Sequence, residues 1–154
     1  MFLDAQLQFS AAQALTVTAV STNVIDTGVN FGGVGVIDDR NIGIGEPMGV
    51  LIVVTVAADT SSGNETYQFD VQSDTVVGFG SLVTIASRVI DKALLTAGSQ
   101  WVIPIPADGP QIGQFLRLNY VLGGTTPTIT VSSFLQPLSM LQNYIAYPDA
   151  LTIS

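Results

Sequence analysis

The chain has 154 residues, 47% hydrophobic and only 10% charged, with four Lys and Arg against twelve Asp and Glu for a net charge of −8. It contains no Cys and no His, which excludes disulfides, a thiolate nucleophile, a Ser-His-Asp triad and a zinc site built on sulfur or imidazole. The acidic balance opposes binding to nucleic acid, which depends on clustered Lys and Arg, and repels anionic membrane surfaces.

An average soluble domain is about 25% charged, so a surface built from this composition is short of charge. Large contiguous apolar patches on a folded protein mark contacts with other proteins, and composition therefore predicts assembly. The length suits one domain with a single core.

The start, MFLDAQLQFS, carries Asp4 and no Lys or Arg before Arg40. It lacks the basic opening of a secretory signal, which predicts synthesis in the cytoplasm. Residues 1–14 read as an apolar leader: either a contact arm, or an edge strand or frayed terminus. Strand patterns are then expected at 15–20, briefly around Val24, and weakly at 33–37. The glycine-rich stretch 26–49 is longer than an ordinary connection, and long loops are functional or mobile. The alternative is a sandwich-end connection containing a short paired strand.

The most apolar run, MGVLIVVTVAA, is too short for a membrane helix, which needs about 20 residues, and is rich in β-branched side chains. It predicts a strand over 50–58 with both faces apolar: Val50, Ile52, Val54 and Val56 on one side, and Leu51, Val53 and Ala57 on the other. An antiparallel sandwich strand normally wets one face, so an arm or a second subunit is expected to cover the outer one. Further strands are expected at 66–73, 82–89, 100–106, 114–122 and 128–135. Turn-rich DTSSGNE, TAGS, PADGP and GGTTP punctuate them.

Alternation is clearest near the end. Leu116, Leu118, Tyr120 and Leu122 share one face, as do Ile129, Val131 and Leu135 after GGTTP, so the two runs read as a hairpin with Gly123 and Gly124 at positive φ. In the tail, Pro137 is expected to open a short helix bearing Leu138, Leu141 and Ile145, stopped by Pro148. The whole predicts an all-β antiparallel sandwich with N- and C-terminal arms, a jelly roll being favoured over an immunoglobulin-like arrangement. Its expected divisions are 1–14 leader, 15–135 sandwich and 136–154 C-terminal arm.

Little reactive chemistry remains. Asp38 and Asp39 are the sole adjacent acidic pair, but neighbouring residues in a strand point apart, and a polar loop is the plainer reading. Asp59, Asn64 and Glu65 offer oxygens to calcium without EF-hand spacing, and a turn explains them better. Trp101 shares a face with Ile103 and Ile105 and reads as core, not as a sugar-stacking platform.

Three stretches in order, AQALTVTAVSTNVIDTG, LLTAGSQWVIPIP and QFLRLNYVLGGTTPT, resemble the capsid cement (decoration) proteins of short-tailed bacteriophages, typified by that of a Bordetella phage. The resemblance implies a jelly roll without catalytic activity or cofactor. It also implies a homodimer on the outer surface of the virion capsid that binds the major capsid protein and clamps neighbouring subunits. It carries no contact motif. The candidate interface residues come from the sequence itself and are Phe2, Leu3 and Phe9 in the leader, Phe31 and Ile42 in the glycine-rich stretch, and Leu138, Leu141, Tyr144 and Tyr147 in the tail; each could instead be core. A carbohydrate-binding jelly roll of a receptor-binding assembly is the alternative function, and it requires an exposed aromatic or calcium site.

Overall fold

The computed structural model describes residues 5–27, 47–106 and 113–141. Nine strands occur among them: β1 (Gln8–Leu15), β2 (Ala19–Val20), β3 (Ile25–Asp26), β4 (Met48–Val56), β5 (Thr66–Asp74), β6 (Val83–Ile90), β7 (Gln100–Pro104), β8 (Phe115–Gly123) and β9 (Ile129–Pro137). Short 3-10 turns cover Ala5–Leu7, Lys92–Leu94 and Leu138–Met140. One sheet has the order β1-β9-β4-β7; the other runs β2-β8-β5-β6, with β3 also on β8.

All pairings are antiparallel, and they nest. β5 pairs β6, β4 pairs β7, β2 and β3 pair β8, and β1 pairs β9. With β2 and β3 taken as one interrupted strand, the chain is a long hairpin whose tip is the β5–β6 connection, rolled into two facing sheets. That is the jelly roll.

The core lies between the sheets. Val50, Ile52 and Val54 of β4, with Val131 and Leu135 of β9, face Tyr67, Phe69 and Val71 of β5 and Leu116, Leu118 and Tyr120 of β8; all are buried. Tyr120 adds a polar link across the sandwich. Its Oη lies 2.7 Å from Ser10 Oγ of β1 and 2.7 Å from Ser133 Oγ of β9, and its ring meets Phe69 edge-on at 5.9 Å. A buried hydroxyl with two partners avoids the cost of desolvation without compensation.

Several expectations need correction. The runs 114–122 and 128–135 bury the predicted faces but are not a hairpin, because β8 and β9 belong to different sheets and face each other across the core. Alternation reports which face is buried, not which strand lies alongside. Of the two glycines between them, only Gly124 has positive φ (+100°), while Gly123 sits against the Thr66 side chain. Secondly, the sandwich begins before residue 15. Gln8–Leu15 is the edge strand β1, and residues 16–18 are the bend into β2 rather than part of a strand. The expected strand at 33–37 lies outside the described residues.

The first half of β4 is buried on both faces, as its composition demands, while Val53 is half-buried and Thr55 and Ala57 are exposed on the outer side. Leu51 is buried on the outer side, where Leu138 and Leu141 fold back over Gly49; a Cβ there would meet Leu138 Cδ2 and lie 3.2 Å from Leu141 Cδ1. The start of the C-terminal segment therefore covers part of the outer face. Pro137 does open a helical turn, but only a 3-10 turn over Leu138–Met140, and Ile145 lies outside the described residues. Val56, expected in the core, is exposed because a register shift between Val54 and Val56 turns it outward.

Candidate functional site

Strand directions give the sandwich two distinct ends. The bend after β1 and the β4–β5, β6–β7 and β8–β9 connections gather at one. The tip of the rolled hairpin, residues 75–82, lies at the other. There too are Ala5, Thr27, Pro47, Pro106, Gly113 and Leu141, where the described segments begin and end.

The tip, TVVGFGSL, is apolar and lacks charge. Side chains hold it from beneath. Asp74, buried at the end of β5, accepts from the Val76 N–H at 3.1 Å through Oδ1 and from the Ser81 N–H at 2.9 Å through Oδ2, so one carboxylate grips both legs. The Ser81 amide first, then those of Val76 and Thr75, outweighs burial and holds the Asp74 carboxyl below its ordinary pKa. Phe79, with φ +50°, turns its ring inward beneath the Arg117 guanidinium, 4.1 Å from the ring centroid. Arg117 is itself fixed by donating from Nε to Gln72 Oε1 at 2.9 Å.

With Phe79 turned in, Val76, Val77, Leu82 and Val83 are left outside at 38–61% exposure. Gly113, opposite, donates its N–H to Ser73 Oγ at 2.6 Å and approaches the Asp74 backbone so closely that it has no room for a side chain. The arrangement is a braced apolar knob.

The sequence reading did not single out this knob. Residue 82 was expected to open a strand, and the run before it shows no alternation. The usable signal was the absence of ionisable residues from 75 to 87 in a stretch with two glycines.

None of the predicted interface residues belongs to the 75–82 stretch. Phe9 is fully buried in the core and offers no contact surface. Leu138 and Leu141 are half-buried against β4. Phe2, Leu3, Phe31, Ile42, Tyr144 and Tyr147 lie outside the described residues, as do Asp38 and Asp39.

The oxygens of the DTSSGNE loop serve the fold. Asp59 accepts from the Ser61 N–H and hydroxyl at 2.8 and 3.0 Å, and Asn64 bonds to Thr125. Buried Glu65 accepts from the Ser62 N–H and pairs with Lys92 Nζ at 2.8 Å. Lys92 is the main reason that the Glu65 pKa falls from 4.5 to about 2. The folded pKa lies below the unfolded one, so this contribution is complete above pH 4.5 and disappears as pH falls towards 2. Glu65→Gln is expected to flatten the acid limb of the stability profile over that window, checked by urea unfolding from pH 6 to pH 2; an unchanged slope would count against the pairing.

Trp101 packs against the core edge as expected, its indole N–H directed to Ser99 Oγ at 3.3 Å. The Arg88 guanidinium covers its ring at 5.1 Å from the centroid, and Nη1 of the same arginine donates to the Val102 carbonyl at 2.5 Å, tying β6 to β7. Among the described residues no group of three or more Asp and Glu gathers to hold a metal, and no helix is long and apolar enough to cross a membrane.

The sequence matches the family model described as Bbp16 over residues 9–135, from β1 to nearly the end of β9. The chain belongs to the Bbp16 family. The family is phage-associated, and the match spans almost the whole sandwich, including the knob. No curated protein matches the chain.

Proposed function

We propose that this Bbp16-family protein is a non-enzymatic virion component that binds the outside of an icosahedral phage head as a homodimer and cements neighbouring major-capsid subunits. The observation that carries this reading is the family match across the sandwich, which places the chain among phage proteins. The residue inventory supports it: with no His or Cys and a charge-poor surface, the chain is equipped for contact rather than turnover. The protein is made in the host cytoplasm and ends on the outer capsid surface. Its partners are the major capsid protein and a second copy of itself, with no nucleic acid, membrane or cofactor involved.

The carbohydrate-binding alternative is less well supported, since Arg88 takes a face of the Trp101 ring that a sugar would need. Co-sedimentation of purified protein with mature, undecorated heads, with uncleaved precursor shells for comparison, tests the proposal. Saturable binding to mature heads is the expected result. No binding at micromolar protein would overturn it.

A further inference from the structure

We propose that the braced knob at residues 75–83 is the element that inserts into an uncharged, apolar pocket on a subunit of the protein shell. This inference rests on the head-binding function proposed above and adds to it the docking element and the chemistry of its receptor.

Other apolar groups are less suited to docking. Val17, Val56 and Leu94 are exposed at the opposite end but come from three separate elements. Val20 and Val24 flank a lateral edge strand, and Val89 stands alone on a sheet face whose neighbours Gln68, Asp70 and Ser87 are polar. Val76, Val77, Leu82 and Val83 instead come from one short stretch, presented together by a scaffold that does not depend on them.

That scaffold makes the knob ready to bind. Asp74 ties both legs, and the buried Phe79 ring is held against the Arg117 guanidinium. A loop already ordered loses little conformational freedom on docking, which converts more of its buried area into affinity. Asp74 and Arg117 lie at its base, and the stretch from 75 to 87 has no ionisable group. In a chain of net charge −8 this is a neutral island. It matches an apolar pocket and has nothing with which to pair a charged surface.

The size of the knob identifies the kind of partner. Four partly exposed aliphatic side chains present roughly 300 Å², against about 800 Å² per partner in a stable pairwise complex. The knob is too small to hold two copies together by itself. It suffices as one contact among several on a repeating lattice, where linked sites raise effective affinity without requiring any one to be strong. A shell subunit is therefore a better receptor than a second copy of this chain.

The test compares wild-type protein with V76D/V77D and with V89D in co-sedimentation with mature, undecorated heads, alongside the oligomeric state of each by analytical ultracentrifugation. Circular dichroism melts establish folding, and Val77→Ser serves as a milder change at the same place. The expected result is wild-type binding retained by V89D, weakened at least tenfold in V76D/V77D and weakened less by Val77→Ser, with oligomeric state unchanged throughout. Wild-type binding with full binding by a folded V76D/V77D would overturn the docking role and leave the head-binding function intact. Dissociation of the V76D/V77D oligomer would assign the knob to self-association and overturn the inference. Failure of wild-type protein to bind heads would overturn both.

Discussion

Phe9→Ala is expected to lower the free energy of unfolding by about 3–5 kcal/mol, the usual cost of deleting a buried aromatic ring. Phe9 is 0% exposed. It is the anchor of β1, an edge strand whose pairing with β9 is interrupted by two register shifts, between Gln8 and Ser10 and between Ser10 and Gln13. Its carbonyl also accepts the Asn23 N–H at 2.9 Å, joining the edge strand to the approach to β3. Loss of the ring leaves a cavity under β1 that the surrounding core, fixed by its own packing, fills only in part. Urea unfolding of wild type and variant measures the change. A cost within the ±0.5 kcal/mol or so typical of surface substitutions would mean that the first residues are a detached arm, as one reading of the leader holds, and not a strand of the sandwich.

Gly113→Ala carries the second large effect. A Cβ at residue 113 would lie 2.5 Å from the Asp74 carbonyl carbon and 2.9 Å from the Thr75 nitrogen, and both are backbone atoms that no rotamer change can move aside. Either the approach to β8 shifts away from β5 or the base of the knob opens, with loss of the Gly113 N–H bond to Ser73. Overpacking of this kind costs about 1–3 kcal/mol, and direct contact with backbone favours the upper part of that range. Gly78→Ala, within the knob itself, is the contrast. It has no positive φ and nothing within 4 Å of the added methyl, so stability should change by less than about 0.5 kcal/mol. Thermal melts of the two variants separate the positions; equal melting temperatures would contradict the close approach at Gly113.

The two-sheet architecture was legible because the buried faces alternate cleanly in β8 and carry a strong apolar run in β4. The partners of those strands were not. Leu116 to Leu122 and Ile129 to Leu135 would show the same pattern lying side by side or facing across a core, and a short glycine-containing connection serves either. β1 was hidden for a different reason. Its bulges, with Ala12 at φ +44°, break the two-residue period, so Phe9 and Ser10 are both buried while Ala11 and Ala12 are both exposed.

The knob was hidden by the opposite of a motif. Phe79, its largest apolar side chain, is the one turned inward, and the small valines around it look like strand residues in the sequence. Leu138 and Leu141 were rightly read as apolar groups needing cover, but they find it on the outer face of β4 within the same chain. The acidic residues of DTSSGNE are taken up locally by Ser61 and Ser62, as the turn reading has it, and by Lys92; only the Lys92 contact depends on the β4–β5 and β6–β7 connections meeting at one end. Sequence spacing does not carry that information.

A rigid sandwich with a neutral knob suits shell cementing physically. In the proposed role a dimer would present two such ends, and separating the subunits it spans would require several contacts to fail together. The most direct measurement of that claim is DNA release from undecorated mature heads on heating, followed by dye fluorescence with and without saturating protein. A release temperature that rises with occupancy and levels off once the sites are filled is the predicted result; an unchanged release temperature on fully occupied heads would contradict the cementing role.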